Sequence, residues 1–377
     1  MQQPVYIQEG SVITPLGFTI ADNISAIEKS QSAIQEQNKT EILDTPFYAA
    51  MIDSEKIDTT FKSLDDASKY MKLEKMMLLS VAETLKKSTL TISDKTALIV
   101  ATTKGSIDAL NTDNPFPEKR AYLSVLAKTI QSFFGFKQEP IVVSNACVSG
   151  ILAVAVAKRL IQNNICDNAV VVAGDLVSKF TVTGFNTFQA LSDGPCKPYS
   201  KYRNGISIGE AAASVIVSKE KKTSSIQILG DGSCNDANHI SGPSRTGEGL
   251  YKSIKSAMLE ANVVSNEIDL ISAHGTATIY NDEMEAIAFN RAHLQDVPLH
   301  SLKGTYGHTL GASGLLEAII GFEAMKRNTL FPSLGYDESG ISKPLHIIKE
   351  VKNKSISTFL KTASGFGGSN TAVLFKN

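Results

Sequence analysis

The sequence predicts an α/β fold in which helices cover both faces of the central strands. Three observations predict it. Short β-rich runs alternate with longer stretches of helical periodicity along the chain. An internal echo, SGILAVAVAKRL at 149–160 and SGLLEAIIGFEAMKR at 313–327, suggests one buried helix of the same kind in each half. The length, 377 residues, allows a large core and exceeds the usual single domain, so a duplicated unit or two joined domains is expected.

In chain order, the strand runs are Val5 to Gln8, Ala97 to Val100, Ile141 to Ser144, Ala169 to Ala173, Ala213 to Ser218, Ile226 to Leu229, Leu270 to Ala273 and Thr371 to Phe375. Helical patterns cover Ala67 to Lys86, Tyr122 to Phe134, Ile151 to Gln162, Gly249 to Ala261 and Leu315 to Lys326. The charged, Ser-rich stretch from Lys219 to Ser225 separates the halves, placing the boundary at 221/222. Nothing there reads as a flexible linker, so the halves are expected to be tightly joined.

Composition excludes several classes of function. Hydrophobic residues make up 42% and charged ones 20%, without a low-complexity tract, which argues against disorder. A net charge of -1 gives no reason to expect nucleic acid as a partner. The start, MQQPVYIQEG, lacks the basic region and apolar core of a secretory signal, and no apolar run approaches the roughly 18 residues that span a bilayer. A cytoplasmic protein without a membrane partner is expected. Cys147, Cys166, Cys196 and Cys234 form no CxxC pair and no cluster with histidines in sequence, so reduced thiols and no metal site are expected.

One cysteine stands apart. VVSNACVSG puts Cys147 between the end of a β-branched run and the start of a helix. A free cysteine packs well as a small hydrophobe, but the positive end of a helix lowers a thiol's pKa and favours the reactive thiolate. Such a nucleophile needs a proton acceptor and an oxyanion site. Two of the six histidines are candidates. His274 ends a strand run in SAHGTAT, and His308 lies in the glycine-rich KGTYGHTLGASG before the second echo helix. The glycines imply tight turns or close approach of another group. A further glycine cluster, SGFGGSN at 364–370, offers backbone N–H groups that could line an oxyanion hole.

Taken in order, NACVSG, HGTAT, GHTLGASG and GFGGSN resemble the motifs of the β-ketoacyl synthases of the thiolase superfamily, and VITPLG at 12–17 resembles that family's first strand and turn. The resemblance spans nearly the whole chain. It implies a thiolase-like fold, a duplicated αβαβα arrangement with two mixed five-stranded sheets. It also implies a decarboxylative Claisen condensation, in which malonyl-acyl carrier protein extends an enzyme-bound acyl thioester by way of a Cys-His-His set.

Carried onto this chain, the resemblance makes Cys147 the acylated nucleophile and His274 and His308 the polarising histidines. Lys303 and Glu285 become a supporting pair, and the N–H groups of Cys147 and Phe366 the oxyanion hole, with the Phe366 ring as a gate. Thr276, Thr278 and Ser241 would bond the phosphopantetheine arm of acyl carrier protein. No cofactor of its own is implied. The partners implied are acyl carrier protein, acyl and malonyl thioesters, and a second copy or a synthase-like relative in a dimer.

Some departures bear on the acyl chain. Ile206 stands where the family often has phenylalanine, GEAAA replaces GEGAG, the segment between Val100 and Ile141 is short, and YNDEMEA is similar to synthases of aryl polyene and flexirubin pigment clusters. A non-catalytic chain-length-factor subunit is the alternative, but such subunits typically lose the cysteine. A thiolase would carry a second cysteine in SGFGGSN, and an initiating synthase would carry asparagine in place of His308.

Overall fold

The computed structural model describes residues 3–236 and 242–377. Ten strands, numbered in chain order, form its main sheet. The first five are β1 (Val5–Ile13), β2 (Thr96–Ala101), β3 (Ile141–Val143), β4 (Asn168–Asp175) and β5 (Ala211–Ser218); β6 (Ile226–Asn235), β7 (Leu270–Ser272), β8 (Leu299–His300), β9 (Thr358–Gly365) and β10 (Ser369–Lys376) follow. Their order in space is β8-β7-β9-β10-β6-β1-β5-β4-β2-β3.

The duplication is exact in topology. Within each set of five the first strand pairs antiparallel with the fifth, the fifth antiparallel with the fourth, the fourth parallel with the second, and the second parallel with the third. The two five-stranded halves are continuous through β1 and β6, where Val5, Tyr6 and Ile7 pair with Ile228, Gln227 and Ile226. Residues 219–225 form the short connection between β5 and β6.

Helices complete five layers. We number α1 (Lys72–Lys86), α2 (Leu123–Phe134), α3 (Ser149–Gln162), α4 (Lys179–Thr187), α5 (Glu248–Ala261), α6 (Ile279–Arg291) and α7 (Ser313–Arg327). One outer layer is α1 with α2, packed on β1, β4 and β5; the other is α5 with α6, packed on β6 and β10. Between the halves, α3 and α7 pack on each other, α7 touching β5 as well as β9 and α3 touching β10 as well as β4. A helix with sheet on two sides must be apolar nearly all round, which is how both echo segments read.

The shared SG of those segments has a packing reason. A Cβ on Gly150 would lie 2.6 Å from the Gly311 carbonyl oxygen, and one on Gly314 would lie 2.8 Å from the Ile151 nitrogen. Each glycine therefore admits the backbone of the opposite helix entry. Gly150→Ala or Gly314→Ala is expected to cost about 1–3 kcal/mol, read from urea unfolding. Gly184→Ala, inside α4 with open space where the Cβ would lie, should instead raise the midpoint slightly.

Several elements differ from expectation. The helix expected over Ala67 to Lys86 is a 3-10 turn, Ala67–Lys69, followed by α1, because Met71 is extended (φ -71°, ψ 159°) and its N–H bonds the Glu74 side chain. β9, TFLKTASG, went unrecognised because a lysine interrupts its apolar run, and β8 is too short to give a pattern. α4 is rich in threonine and contains Gly184, and α6 buries two acids, Asp282 and Glu285, on its inner face. Neither shows a helical apolar stripe. No helix among the described residues is long and apolar enough to cross a membrane.

Candidate active site

Every element of the site meets at the inner ends of α3 and α7. The chain leaves β3, turns sharply and enters α3 at Ser149, with Ala146 in the left-handed region at φ 44°. That conformation is unfavourable for alanine. Ser149 holds it: its hydroxyl accepts from the Asn145 N–H (2.8 Å) and donates to the Ala146 carbonyl (2.6 Å). The corner presents Cys147 to the interior, 7% exposed.

The two histidine segments converge on this thiol. His308 follows Gly307, whose φ of 69° and closeness to the Ile208 carbonyl suit glycine alone. Its Nε2 lies 3.0 Å from the Cys147 sulfur, while its Nδ1 lies 3.0 Å from the Ser313 hydroxyl, which orients the ring. His274 comes off the end of β7 with its ring edge-on to that of His308, centroids 5.2 Å apart. The sulfur and one nitrogen of each imidazole all lie within 4.8 Å of one another. Nδ1 of His274 is buried and has no protein partner.

This is the one Cys, His and acid cluster among the described residues with donor atoms close enough to share a metal ion. Tetrahedral zinc would hold sulfur and nitrogen about 3.6 Å apart, given its usual bond lengths. The 3.0 Å separation instead matches a hydrogen-bonded thiol and imidazole.

Burial sets the protonation states. It holds both His274 and His308 well below the ordinary histidine value, and Lys303 and Lys361 push them further down. Burial also pushes the Cys147 thiol up to about 11, against the downward pull of Lys303, Lys104 and the nearby Phe366 backbone N–H. This corrects the expectation of a lowered thiol pKa: desolvation outweighs the helix end when the group is enclosed. The resting pair is a neutral thiol donating to a neutral imidazole. Alkylation of Cys147 by iodoacetamide should therefore rise about tenfold per pH unit from pH 7 to 10, following the thiolate fraction. A rate that levels off below pH 8, measured by intact mass, would contradict this.

The expected Lys303 and Glu285 pair does not form. Lys303 Nζ donates to Glu317 (2.5 Å) and to the His274 carbonyl (2.9 Å). Glu285, on α6, instead accepts from the N–H groups of His274 (2.8 Å) and Gly275 (2.6 Å) and from the Tyr199 hydroxyl (2.9 Å). Glu285 thus stabilises the turn carrying His274 from the side of α6, while α7 brings Glu317 to the lysine. Both acids support the site, each on its own side.

Thr276 and Thr278 share a hydroxyl contact (3.0 Å), and Thr278 also caps α6 by accepting from the Asn281 N–H. Ser241 lies outside the described residues. Phe366 follows β9, 38% exposed, with its ring against Phe185 of α4 (5.5 Å) and Phe188 (5.7 Å).

Sequence reading missed Ser313, Glu317 and Lys361. The available signal was a charge inside an apolar run: Glu317 in SGLLEAII and Lys361 in TFLKTAS, both now buried.

Residues 3–223 match the β-ketoacyl synthase N-terminal domain, and 226–337 match its C-terminal domain. The chain belongs to the β-ketoacyl synthase family. Similar curated members are 3-oxoacyl-[acyl-carrier-protein] synthase 2 of Coxiella burnetii, 30% identical over 68% of this chain, and the protein of the same name from Rhizobium meliloti, 33% identical over 62%. The match spans 66% and 60% of those relatives. In fold, the chain superposes on a chain of the ketosynthase and chain length factor complex of Xenorhabdus doucetiae with a TM-score of 0.88, at 22% identity, covering 99% of this chain and 98% of that one. The family's thiolase-like fold is therefore present throughout the described residues.

Proposed function

We propose that this family member is an elongating β-ketoacyl-acyl carrier protein synthase, carrying out decarboxylative Claisen condensation. The observation that carries the reading is the convergence of Cys147, His308 and His274 on one enclosed point.

In the first half-reaction the Cys147 sulfur attacks the acyl thioester on carrier protein. His308 Nε2, 3.0 Å away, takes the thiol proton and returns it to the departing phosphopantetheine thiolate. A carbon-sulfur bond forms at Cys147 and one breaks at the carrier. The N–H groups of Cys147 and Phe366 hold the oxyanion; a Cβ on Gly365, the residue before Phe366, would lie 3.0 Å from the Cys147 nitrogen, so the two segments run side by side, which supports this role.

In the second half-reaction malonyl-carrier protein enters with its thioester oxygen between the two imidazoles. As neutral rings, both can donate an N–H to the charge that develops when carbon dioxide leaves. The resulting carbanion equivalent attacks the acyl-Cys147 carbonyl, releasing β-ketoacyl-carrier protein and a Cys147 thiolate that regains a proton. Lys303 and Glu285 position the His274 turn. Thr276, Thr278 and Ser241 bind the phosphopantetheine arm, and the chain supplies no cofactor of its own.

The acyl chain lies against the apolar cluster of Phe47, Val177, Val182, Ile206, Ile208 and Leu310, which adjoins the His308 loop through Leu310. Ile206 leaves room there that a phenylalanine would fill, suiting extended chains such as the polyenes of pigment synthases. The Xenorhabdus protein is a ketosynthase in complex with its chain length factor, and this chain dimerises either with itself or with such a relative. Retention of all three reactive residues disfavours its being the non-catalytic subunit.

The test is incubation with saturated and polyenoyl carrier proteins and malonyl-carrier protein, followed by intact mass. An acyl adduct on the chain and β-ketoacyl product are expected. The absence of an adduct from every primer would overturn the reading.

A further inference from the structure

The mechanism above leaves Lys361 unused, and it is fully buried. It lies on β9 directly opposite Ser272 of β7. Its Nζ donates to the Ser272 carbonyl (3.1 Å), the Ala273 carbonyl (3.3 Å) and Glu317 Oε2 (2.6 Å). The other oxygen of Glu317 takes Lys303, which also holds the His274 carbonyl. A single buried carboxylate thus carries one ammonium on each oxygen, and the two ammoniums grip three successive carbonyls, 272 to 274.

The four strands of chain that meet here are the ones that deliver the reactive groups. β7 runs on into His274, and Lys303 stands five residues before His308. Glu317 is in the first turns of α7, which opens with Ser313, the partner of His308 Nδ1. β9 runs on into Gly365 and Phe366. A buried ammonium next to strand carbonyls is costly unless fully satisfied, and Lys361 spends all three donors here. A methionine or leucine would complete the apolar strand without that demand, so stability alone gives no reason for the lysine.

We propose that Lys361 is a positioning residue for the decarboxylation step, locking the His274 backbone to Glu317 and so to the segment that bears His308. This rests on the synthase reading. The lock acts on His274, which makes no hydrogen bond to Cys147, so it bears on decarboxylation and leaves thiol acylation largely alone. The nearby ammonium charge also helps keep both imidazoles neutral.

The test separates the half-reactions in the full-length protein. Lys361→Met should slow carbon dioxide release from malonyl-carrier protein by about 10- to 100-fold, through kcat more than KM, while acylation of Cys147 changes by less than about threefold. Glu317→Gln, which keeps the side-chain shape but removes the shared charge, should show the same asymmetry. Equal loss in both half-reactions, or no loss in either, overturns the proposal. A crystal structure of Lys361→Met gives a readout that needs no activity: the His274 ring is expected to shift from its 5.2 Å spacing to His308, and an unmoved ring also overturns it. Wild type that performs neither half-reaction sinks the synthase reading instead, and the crystal structure then decides the positioning role by itself.

Discussion

Cys147→Ala should form no acyl adduct with any primer and should lose condensation by at least about 10⁴-fold, since the covalent intermediate can no longer form. Three other cysteines remain in the chain, but among the described residues Cys147 is the cysteine grouped with the two histidines, so the loss of the adduct assigns the site. Decarboxylation should survive, because the two imidazoles that stabilise the developing charge are untouched. Intact mass for the adduct, together with carbon dioxide release, reads both parts. An adduct of unchanged yield in the variant would place the nucleophile elsewhere.

The second large effect divides the histidines. His274→Ala should reduce decarboxylation by about 10²–10³-fold, the usual cost of one oxyanion donor, while leaving the acylation rate near that of wild type. His308→Ala should depress both half-reactions, because its Nε2 meets the Cys147 sulfur at 3.0 Å and, in the proposed mechanism, its ring also donates to the malonyl oxygen. The asymmetry comes from geometry: His274 sits beside His308, and the thiol is bonded to only one of them. Single-turnover acylation followed by mass, set against carbon dioxide release, distinguishes the pair. Equal behaviour of the two variants would mean that the histidines share both roles.

Much of this site was legible before any fold was known. Cys147, His274, His308 and Phe366 stand in short motifs whose glycines and small residues mark close backbone approach, and the first three converge on one point. Support for the site was less legible. Glu285 and Glu317 are both acids near the motifs, and spacing could not tell which one meets Lys303. The answer depends on α7 and α6 arriving from opposite sides of the His274 turn. Lys361 was hidden for a related reason, since a lysine in a strand reads as exposed until a buried carboxylate appears beside it.

The fold divides in the same way. The eight strands with uninterrupted β-rich runs and five longer helices with an apolar stripe were readable, because local burial leaves a local pattern; the short helices Ile20–Glu28 and Ser54–Phe61 are too brief for their stripes to stand out. β8, β9, α4 and α6 were not, because their sequences are short or carry polar residues for tertiary reasons. The SG repeat was visible as an echo, but only the crossing of α3 and α7 explains it.

By itself, the sequence determined the α/β class, the duplication, the family resemblance and the three side chains that converge at the candidate site, all of which depend on residue type and order. Tertiary structure decided which charges pair and how the thiol is protonated. Those depend on distance and desolvation between segments as much as 161 residues apart, and burial there raises the Cys147 thiol where a helix end alone would have lowered it.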